Sequence, residues 1–549
     1  MNLQDPPSVS KAATTLNELK KIIPLWVLGT EEPGRQLGLI NMLDSRSSAS
    51  KELADISGKV ARLLWTQNPL DMQAAAACFN HEGRSGQGTG LLKTLLSSPQ
   101  HEIPQEDLDN LLLSADSKLI IRHLFPFLRG PHSLSWLAGS WDTLLRMGSP
   151  ELPLSILETI EWDEGLTQLR QRLYAEYRFL YGTPEEALKE VENLDGEVWS
   201  LWKDYMRAEL LLRSDAKEEG IKALHGLWTE NMWNINWGLK LHALKHPIDI
   251  RGALDTSDDV VILLYSWNNG ALMEKTLKNV AASNIGGARV LALNNGSNDT
   301  TAEVVANAAE RFQEGRYRGI QLPINVGAPP ARNWLLSEPE ARKAKWAVFL
   351  DDDVELPQNW LEHLLATAEH HGNPGAVGCR ITSTSEPRSL QSADYHLFPP
   401  DRTVSQIEGL EERVMVFDSC RNAFDYGQFT YTRPAVHLSG CCHMLNMEAV
   451  HRCGGFDVRF NPTQFDDLER DLRAYAAGYT HVYAGQLGIG HIQHSSLAKA
   501  SSAKSMAQVF GNKIKLESKY SEKVLNSVFT RDLESLWADA EKKWSELAG

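Results

Sequence analysis

The sequence predicts an α/β domain set between two helical regions, and three observations carry that prediction. From residue 260 to 353, short apolar runs of strand length alternate with amphipathic stretches of helix length. Strand, helix, strand in this order marks a largely parallel sheet. Before residue 250 the apolar residues recur at helical spacing, and Pro and Gly fall between those stretches rather than inside them. Finally, each apolar run in the middle segment ends in a polar cluster, which is where open α/β sheets bind ligands.

Residues 1–250 read as helical, as in "LNELKKIIPLWVLG", "LADISGKVARLLWTQ" and "LRQRLYAEYRFLYG". Two segments there are alike: "AEYRFLYGTPEEALKEVENL" from Ala175 and "AELLLRSDAKEEGIKALHGL" from Ala208. Their spacing is close to a tetratricopeptide period, so a tetratricopeptide-like array and a plain helical bundle both stand. Either gives a surface suited to docking a partner. "LKHPIDIRGALDTSDD" (244–259) reads as a boundary, with Pro, Gly and a charge run.

The middle segment, 258–496, then follows. "VVILLYSW" (260–267) is a buried strand and "ALMEKTLKNVAAS" (271–283) a helix. "ARVLALNNGSND" (288–299) is a strand with a polar turn, and "TTAEVVANAAERFQE" (300–314) a helix. "RGIQLPIN" and "KWAVFLDDD" add two strands. The clusters at Tyr265–Asn268, Asn294–Asp299, Asn325–Gly327 and Asp351–Asp353 are therefore expected on one edge. Residues 497–549 form a helical extension that can pack on either neighbour.

Bulk properties exclude several classes. A chain of 549 residues holds about three domains. With 42% hydrophobic and 23% charged residues it has a globular balance rather than that of a disordered chain. A net charge of −16 argues against nucleic-acid binding, which needs clustered Lys and Arg. Six cysteines without a C-x-x-C pair indicate neither a disulfide framework nor a zinc ribbon. The start lacks an apolar signal region and no apolar run reaches membrane length, so a cytoplasmic protein with no transmembrane segment is expected.

Three constellations can carry chemistry. Asp351 and Asp353 form a D-x-D at the end of a buried strand, where alternate side chains can face one point. A divalent cation such as Mn²⁺ or Mg²⁺ would offset their mutual repulsion. The bland reading is an acidic turn before the following helix. In "FDDLERDLRAYAAGY", Asp466, Asp467 and Glu469 are expected to precede a helix ending near Gly478, where the bland reading is a carboxylate suiting the dipole and the functional one a general base. In "GIGHIQHSS", His491 and His494 follow a strand, and one of them is expected as an imidazole ligand beside the aspartates.

Taken in order, these pieces resemble the GT-A glycosyltransferases of the family 2 class. The resemblance runs over "VVILLYSWNN", "LALNNGSND", "NVGAPPARNWLL", "VFLDDDVELPQNWL", "LSGCCHMLNMEAVHRCGGFDVRF", "FDDLERDLRAYAAGY" and "GIGHIQHSS". It implies a mixed, mostly parallel sheet and a nucleotide-diphosphate sugar lying across the strand ends. Donor contacts would come from Ser266, Asn268, Asn294, Asn295, Gly296, Asn325, Arg332 and Asp352. Asp351, Asp353 and His491 would hold the cation, and Arg332 would contact the pyrophosphate or organise the aspartate turn. Asp467, or else Asp466, would take the proton from the acceptor hydroxyl in a single inverting displacement. The Asp-Asp-Leu-Glu form of the acidic motif also resembles relatives that retain configuration. Asn294 stands where the family commonly has a base-reading Asp, and Tyr265-Ser266-Trp267 where Pro-Thr-Tyr is usual.

Two other readings compete. A sugar nucleotidyltransferase would open with a Gly-rich loop and a basic residue, but "LLYSWNNGALME" has one Gly and no Lys or Arg before Lys275. A helical scaffold with a degenerate transferase domain would not need to keep the aspartates, the acidic motif and the late His together. The acceptor, a glycan or a protein, is expected to be recruited by the helical region.

Overall fold

A computed structural model describes residues 17–21, 23–47, 50–82, 88–114, 116–400, 412–420, 423–492 and 503–548. His494 lies outside them.

Among the described residues, everything before residue 253 that is regular is helical. The elements used below are α1 (Lys51–Gln67), α2 (Thr167–Tyr181), α3 (Pro184–Glu192), α4 (Ser200–Arg213), α5 (Lys217–Glu230) and α6 (Ile235–Lys245). The two similar segments each fold as a helical hairpin, α2–α3 and α4–α5, with Ala175 and Ala208 fully buried. The turn "TPEE" explains the start of α3. Thr183 accepts the Glu186 N–H, Glu186 returns the bond to the Thr183 N–H, and Pro184 supplies a helix-ready first residue. Buried Arg172 ties α2 to its neighbours, donating to the Thr66 carbonyl of α1 at 2.9 Å and lying 3.3 Å from the centre of the Trp202 ring in α4.

After a short turn of 3₁₀ helix (Ala253–Asp259) the sheet begins. Its strands are β1 (Val260–Ser266), β2 (Arg289–Asn295), β3 (Tyr317–Leu322), β4 (Trp346–Leu350), β5 (Val354–Glu355), β6 (Ala376–Ser383), β7 (Leu390–Ser392), β10 (Thr432–Ala435), β11 (Cys442–Asn446) and β12 (His481–His491), while β8 (Tyr395–Leu397) and β9 (Val416–Asp418) form a separate pair. The main order is β10-β12-β6-β11-β4-β1-β2-β3. β1 runs parallel to β2 and β4, β2 parallel to β3, and β6 parallel to β12. β11 runs antiparallel between β4 and β6. The sheet is thus mixed and mostly parallel, as the sequence implied. β1 and β4 are nearly all apolar and buried because packed layers cover both of their faces. The intervening helices are α7 (Gly270–Ala282), α8 (Thr301–Asn307), α9 (Ala328–Ser337), α10 (Trp360–His370), α11 (Met447–Cys453) and α12 (Asp466–Ala476).

The register sets the functional edge. Ser266 pairs with Asn294, and Leu264 with Leu350, so the turns after β1, β2 and β4 emerge side by side. β11 enters from the opposite direction with Cys442 beside Leu350, which puts Cys441 against Asp351. The end of β12 crosses β5 with His491 opposite Val354.

Two further helices follow, α13 (Ala503–Lys519) and α14 (Glu522–Ala548). α14 packs on the sheet and on the helical region together. Its Trp544 meets Trp228 of α5 edge to face at 5.4 Å, and its Asp532 meets His396 of β8 at 3.1 Å. No helix among the described residues is long and apolar enough to cross a membrane.

Candidate active site

The three aspartates have three different surroundings. Asp351 follows β4, its N–H donating to the Cys441 carbonyl at 3.1 Å and its side chain partly open. Asp352 turns back toward β1. It accepts from Ser266 Oγ and, at 3.0 Å, from Asn269 Nδ2. Burial, with the charges of Asp353 and Asp351, pushes its pKa up to about 7 despite the Ser266 bond. Asp353 is only 4% exposed and lies 3.2 Å from Nε2 of His491, which is itself 3.9 Å from Asp351. The D-x-D carboxylates and the late histidine therefore meet at one imidazole nitrogen, although they are separated by some 140 residues of chain.

Gln391 of β7 fixes that imidazole. Its amide N–H donates to the His491 carbonyl at 3.0 Å, so its oxygen must be what faces Nδ1 at 2.7 Å. Nδ1 then carries a proton and Nε2 points at the acids, the arrangement metal-binding histidines require of their outer partner. Burial alone would lower the His491 pKa, but Cys441, Asp353 and Asp351 outweigh it and push it up to about 11.

A donor set follows that the sequence reading did not assemble. The ligand atoms of Asp351, Cys441 and His491 all lie within 4.8 Å of one another. Asp353 is outside this set. A carboxylate, an oriented imidazole and a thiol fit a divalent cation. Cys441 and Gln391 escaped the sequence reading because no local spacing links them to the aspartates; antiparallel pairing of β11 brings in the first, and the β6–β7 hairpin the second.

Arg332 joins the two acidic motifs. It is buried, donates to Asp466 at 2.8 Å and lies 3.9 Å from Asp351, with the rings of Phe456 and Tyr265 5.0 and 5.4 Å away. Its guanidinium thus lies between Asp351 and Asp466. Asp466 and Asp467 do not precede α12 but form its first turn. Asp466 is 2% exposed and engaged by Arg332, and burial raises its pKa against that cation. Asp467 is half-buried and lies against Gly440, where an added Cβ would come within 2.7 Å of its Oδ2.

The other donor-side residues converge as the register requires, mostly on one another. Asn298 N–H donates to Asn268 Oδ1 at 2.7 Å, and Asn268 N–H to Ser297 Oγ at 2.9 Å. Asn294 donates to Gln321 and accepts from the Ser297 N–H. Asn295 is buried, bonded to Asn325 at 3.1 Å and to the Val326 N–H at 3.0 Å, and Asn325 accepts from the Gly327 N–H at 2.8 Å. Gly296 has φ +67° and packs on the Ile324 backbone so closely that a Cβ would overlap it. These side chains brace the loops at the strand ends.

The mixed, mostly parallel sheet with polar clusters at its strand ends has the GT-A fold. Residues 260–454 match the model of glycosyl transferase family 2, and this part of the chain is a family 2 glycosyltransferase domain. No curated protein matches the chain. Among solved structures it is similar to GalNAc-T7 with UDP, GalNAc and Mn²⁺ (12% identity, TM-score 0.38, covering 52% of this chain and 54% of that one). It is also similar to the mannosyltransferase PcManGT from Pyrobaculum calidifontis in complex with GDP-Man and Mn²⁺ (16%, 0.35, 60% and 85%) and to S. aureus TarS (13%, 0.33, 50% and 43%). The match spans about half the length of the first of these.

Proposed function

We propose that the chain transfers a sugar from a nucleotide-diphosphate donor to an acceptor hydroxyl, with a divalent cation and inversion at the anomeric carbon. The observation that carries this is the meeting of Asp351, Asp353 and His491 beside the buried Arg332–Asp466 pair. Asp351, Asp353 and His491 hold the cation, Mn²⁺ or Mg²⁺. Bound there, it supplies Lewis-acid stabilisation of charge on the leaving nucleoside diphosphate. The loops of Ser266, Asn268, Asn294–Gly296 and Asn325, with Asp352, shape the donor bed. Asp467 takes the acceptor hydroxyl proton as that oxygen attacks the anomeric carbon, and the carbon–oxygen bond to the diphosphate breaks on the opposite side. Asp466 keeps Arg332 in place and leaves Asp467 as the open carboxylate of the pair.

The domain plan accompanying this is a helical region of 1–250 that presents the acceptor glycan or protein, a transferase domain of 258–496 and a helical extension of 497–549. Six free cysteines support a reducing, cytoplasmic setting.

A panel of nucleotide sugars, assayed for nucleoside diphosphate release with Mn²⁺, tests the proposal. One donor is expected to give release that chelator abolishes. Asp351→Ala and Asp353→Ala should each lower the rate by about a hundredfold or more, the range for removing charge stabilisation from a reacting centre. Release that is indifferent to chelator and to both substitutions overturns the metal assignment.

A further inference from the structure

We propose that Cys441 is itself a metal ligand, and that with Asp351 and His491 it makes a carboxylate–imidazole–thiolate centre that prefers ions of the zinc class over magnesium. The inference rests on the cation site proposed above but not on the identity of donor or acceptor.

Backbone pairing makes the placement of Cys441 a property of the fold. The Asp351 N–H donates to the Cys441 carbonyl at 3.1 Å, the last rung between β4 and β11, so the two residues face each other across the end of the ladder. Side chains alternate along a strand. Cys442 therefore points the other way: it is fully buried in the apolar layer that also contains Cys379. Cys441 is half-buried on the functional edge, with its own N–H held by Ser439 Oγ at 3.3 Å. Both cysteines pack on that layer, but Cys441 is the one whose sulfur groups with the ligand atoms of Asp351 and His491.

The distances fit coordination. In a tetrahedral site with bonds of about 2.0–2.3 Å, neighbouring ligand atoms sit about 3.3–3.8 Å apart. The Asp351, Cys441 and His491 ligand atoms are within 4.8 Å of one another, so a closure of about 1 Å brings them to that spacing. Gln391 already presents Nε2 of His491, and Arg332 stands behind Asp351. On binding, the Cys441 S–H bond breaks, a sulfur–metal bond forms and the proton leaves to solvent. Magnesium favours oxygen ligands in octahedral geometry, whereas a thiolate with an imidazole favours zinc and cobalt.

The test uses the full chain, stripped with chelator and titrated with Co²⁺ while calorimetry counts the ions bound. Wild type is expected to take one Co²⁺ and to show a near-ultraviolet thiolate-to-cobalt charge-transfer band. The band should persist in Cys453→Ser and vanish in Cys441→Ser. In Cys441→Ser the Zn²⁺-over-Mg²⁺ affinity ratio should fall about tenfold or more, the scale of effect seen when a metal site loses a partner. Absence of Co²⁺ binding, Co²⁺ bound by wild type without the band, or a band retained in Cys441→Ser overturns the proposal. The wild-type spectrum decides the matter even if the variant folds poorly. Nucleoside diphosphate release, measured separately, keeps the two readings apart: release without the band sinks the thiolate ligand alone, and the band without release sinks the transferase reading alone.

Discussion

Asp466 and Asp467 are neighbours on the first turn of α12, yet their surroundings differ. Asp466 faces a guanidinium with no access to water, and Asp467 opens toward Gly440. Removing one partner of a buried pair leaves the other charge unmatched, at a cost of about 3–5 kcal/mol. Asp466→Asn should therefore lower the stability of the folded chain by an amount of that order in denaturant titration. Asp467→Asn should leave stability within about 0.5 kcal/mol while lowering kcat by about 10²–10⁴, the usual contribution of a positioned base. Donor KM should be unchanged, because the proposed role of Asp467 is toward the acceptor hydroxyl and not the donor. If Asp466→Asn were the variant that kept its stability and lost its turnover, the base would be Asp466.

At the scale of elements, the strands β1, β2 and β4 and the helices between them could be read from apolar runs, since a strand covered on both faces has no alternative to being apolar, whereas β3 is a largely open edge strand. The edge on which their polar ends meet followed from the parallel arrangement alone. What could not be read was set by long-range pairing: the antiparallel entry of β11 with Cys441, the short β7 with Gln391, and the β12 register that carries His491 to the aspartates. Periodicity reports which face a residue takes, not which strand lies beside it. The loops after β2 and β3 show the same limit, because their asparagines bond to neighbouring loop groups and brace the site. Gly296 is the joint of that bracing, at φ +67° against the Ile324 backbone. An alanine there meets both a left-handed backbone, a strain of about 1–3 kcal/mol, and a neighbour that cannot yield. Gly296→Ala should lower the melting temperature and raise donor KM more than it lowers kcat. A variant with unchanged KM would mean that this loop does not shape the donor bed.

At the scale of the whole molecule, the helical region, one face of the sheet and α14 share a continuous core that runs from Leu19 to Leu547. Lys240 of α6 is buried against Glu209 and donates to the Gly427 carbonyl at 2.8 Å. Tyr205 donates to the Tyr426 carbonyl at 3.0 Å, and Tyr426 in turn to Glu176 at 2.8 Å. The helical region therefore clamps the segment just before β10. From the other side, α14 places Asp532 on His396, which also meets Asp394 at 2.7 Å, and Asp394 accepts from Arg433. All four groups are fully or almost fully buried. Burial would raise the Asp394 pKa, but Arg433 and His396 outweigh it and hold it well below the usual carboxylate range. Its contribution to stability is present above pH about 4, the ordinary value, and is lost as pH falls below that. His396 is raised, with Asp532 and Asp394 outweighing burial. Its contribution is present below pH about 6.5 and is lost as pH rises through the folded value. Asp394→Asn should accordingly flatten the acid limb of a stability-against-pH curve. The same network makes a prediction about the chain as a whole. A fragment of 258–496 lacks Asp532, Lys240 and Trp544, so His396 would be buried without one of its acids, and the apolar faces under α6 and α14 would meet water. We expect the full chain to unfold in one cooperative transition and the fragment to bind a hydrophobic dye and lose its near-ultraviolet circular dichroism. A fragment that melts sharply at the temperature of the full chain would show that the transferase sheet holds itself together, and that the helices serve acceptor presentation alone.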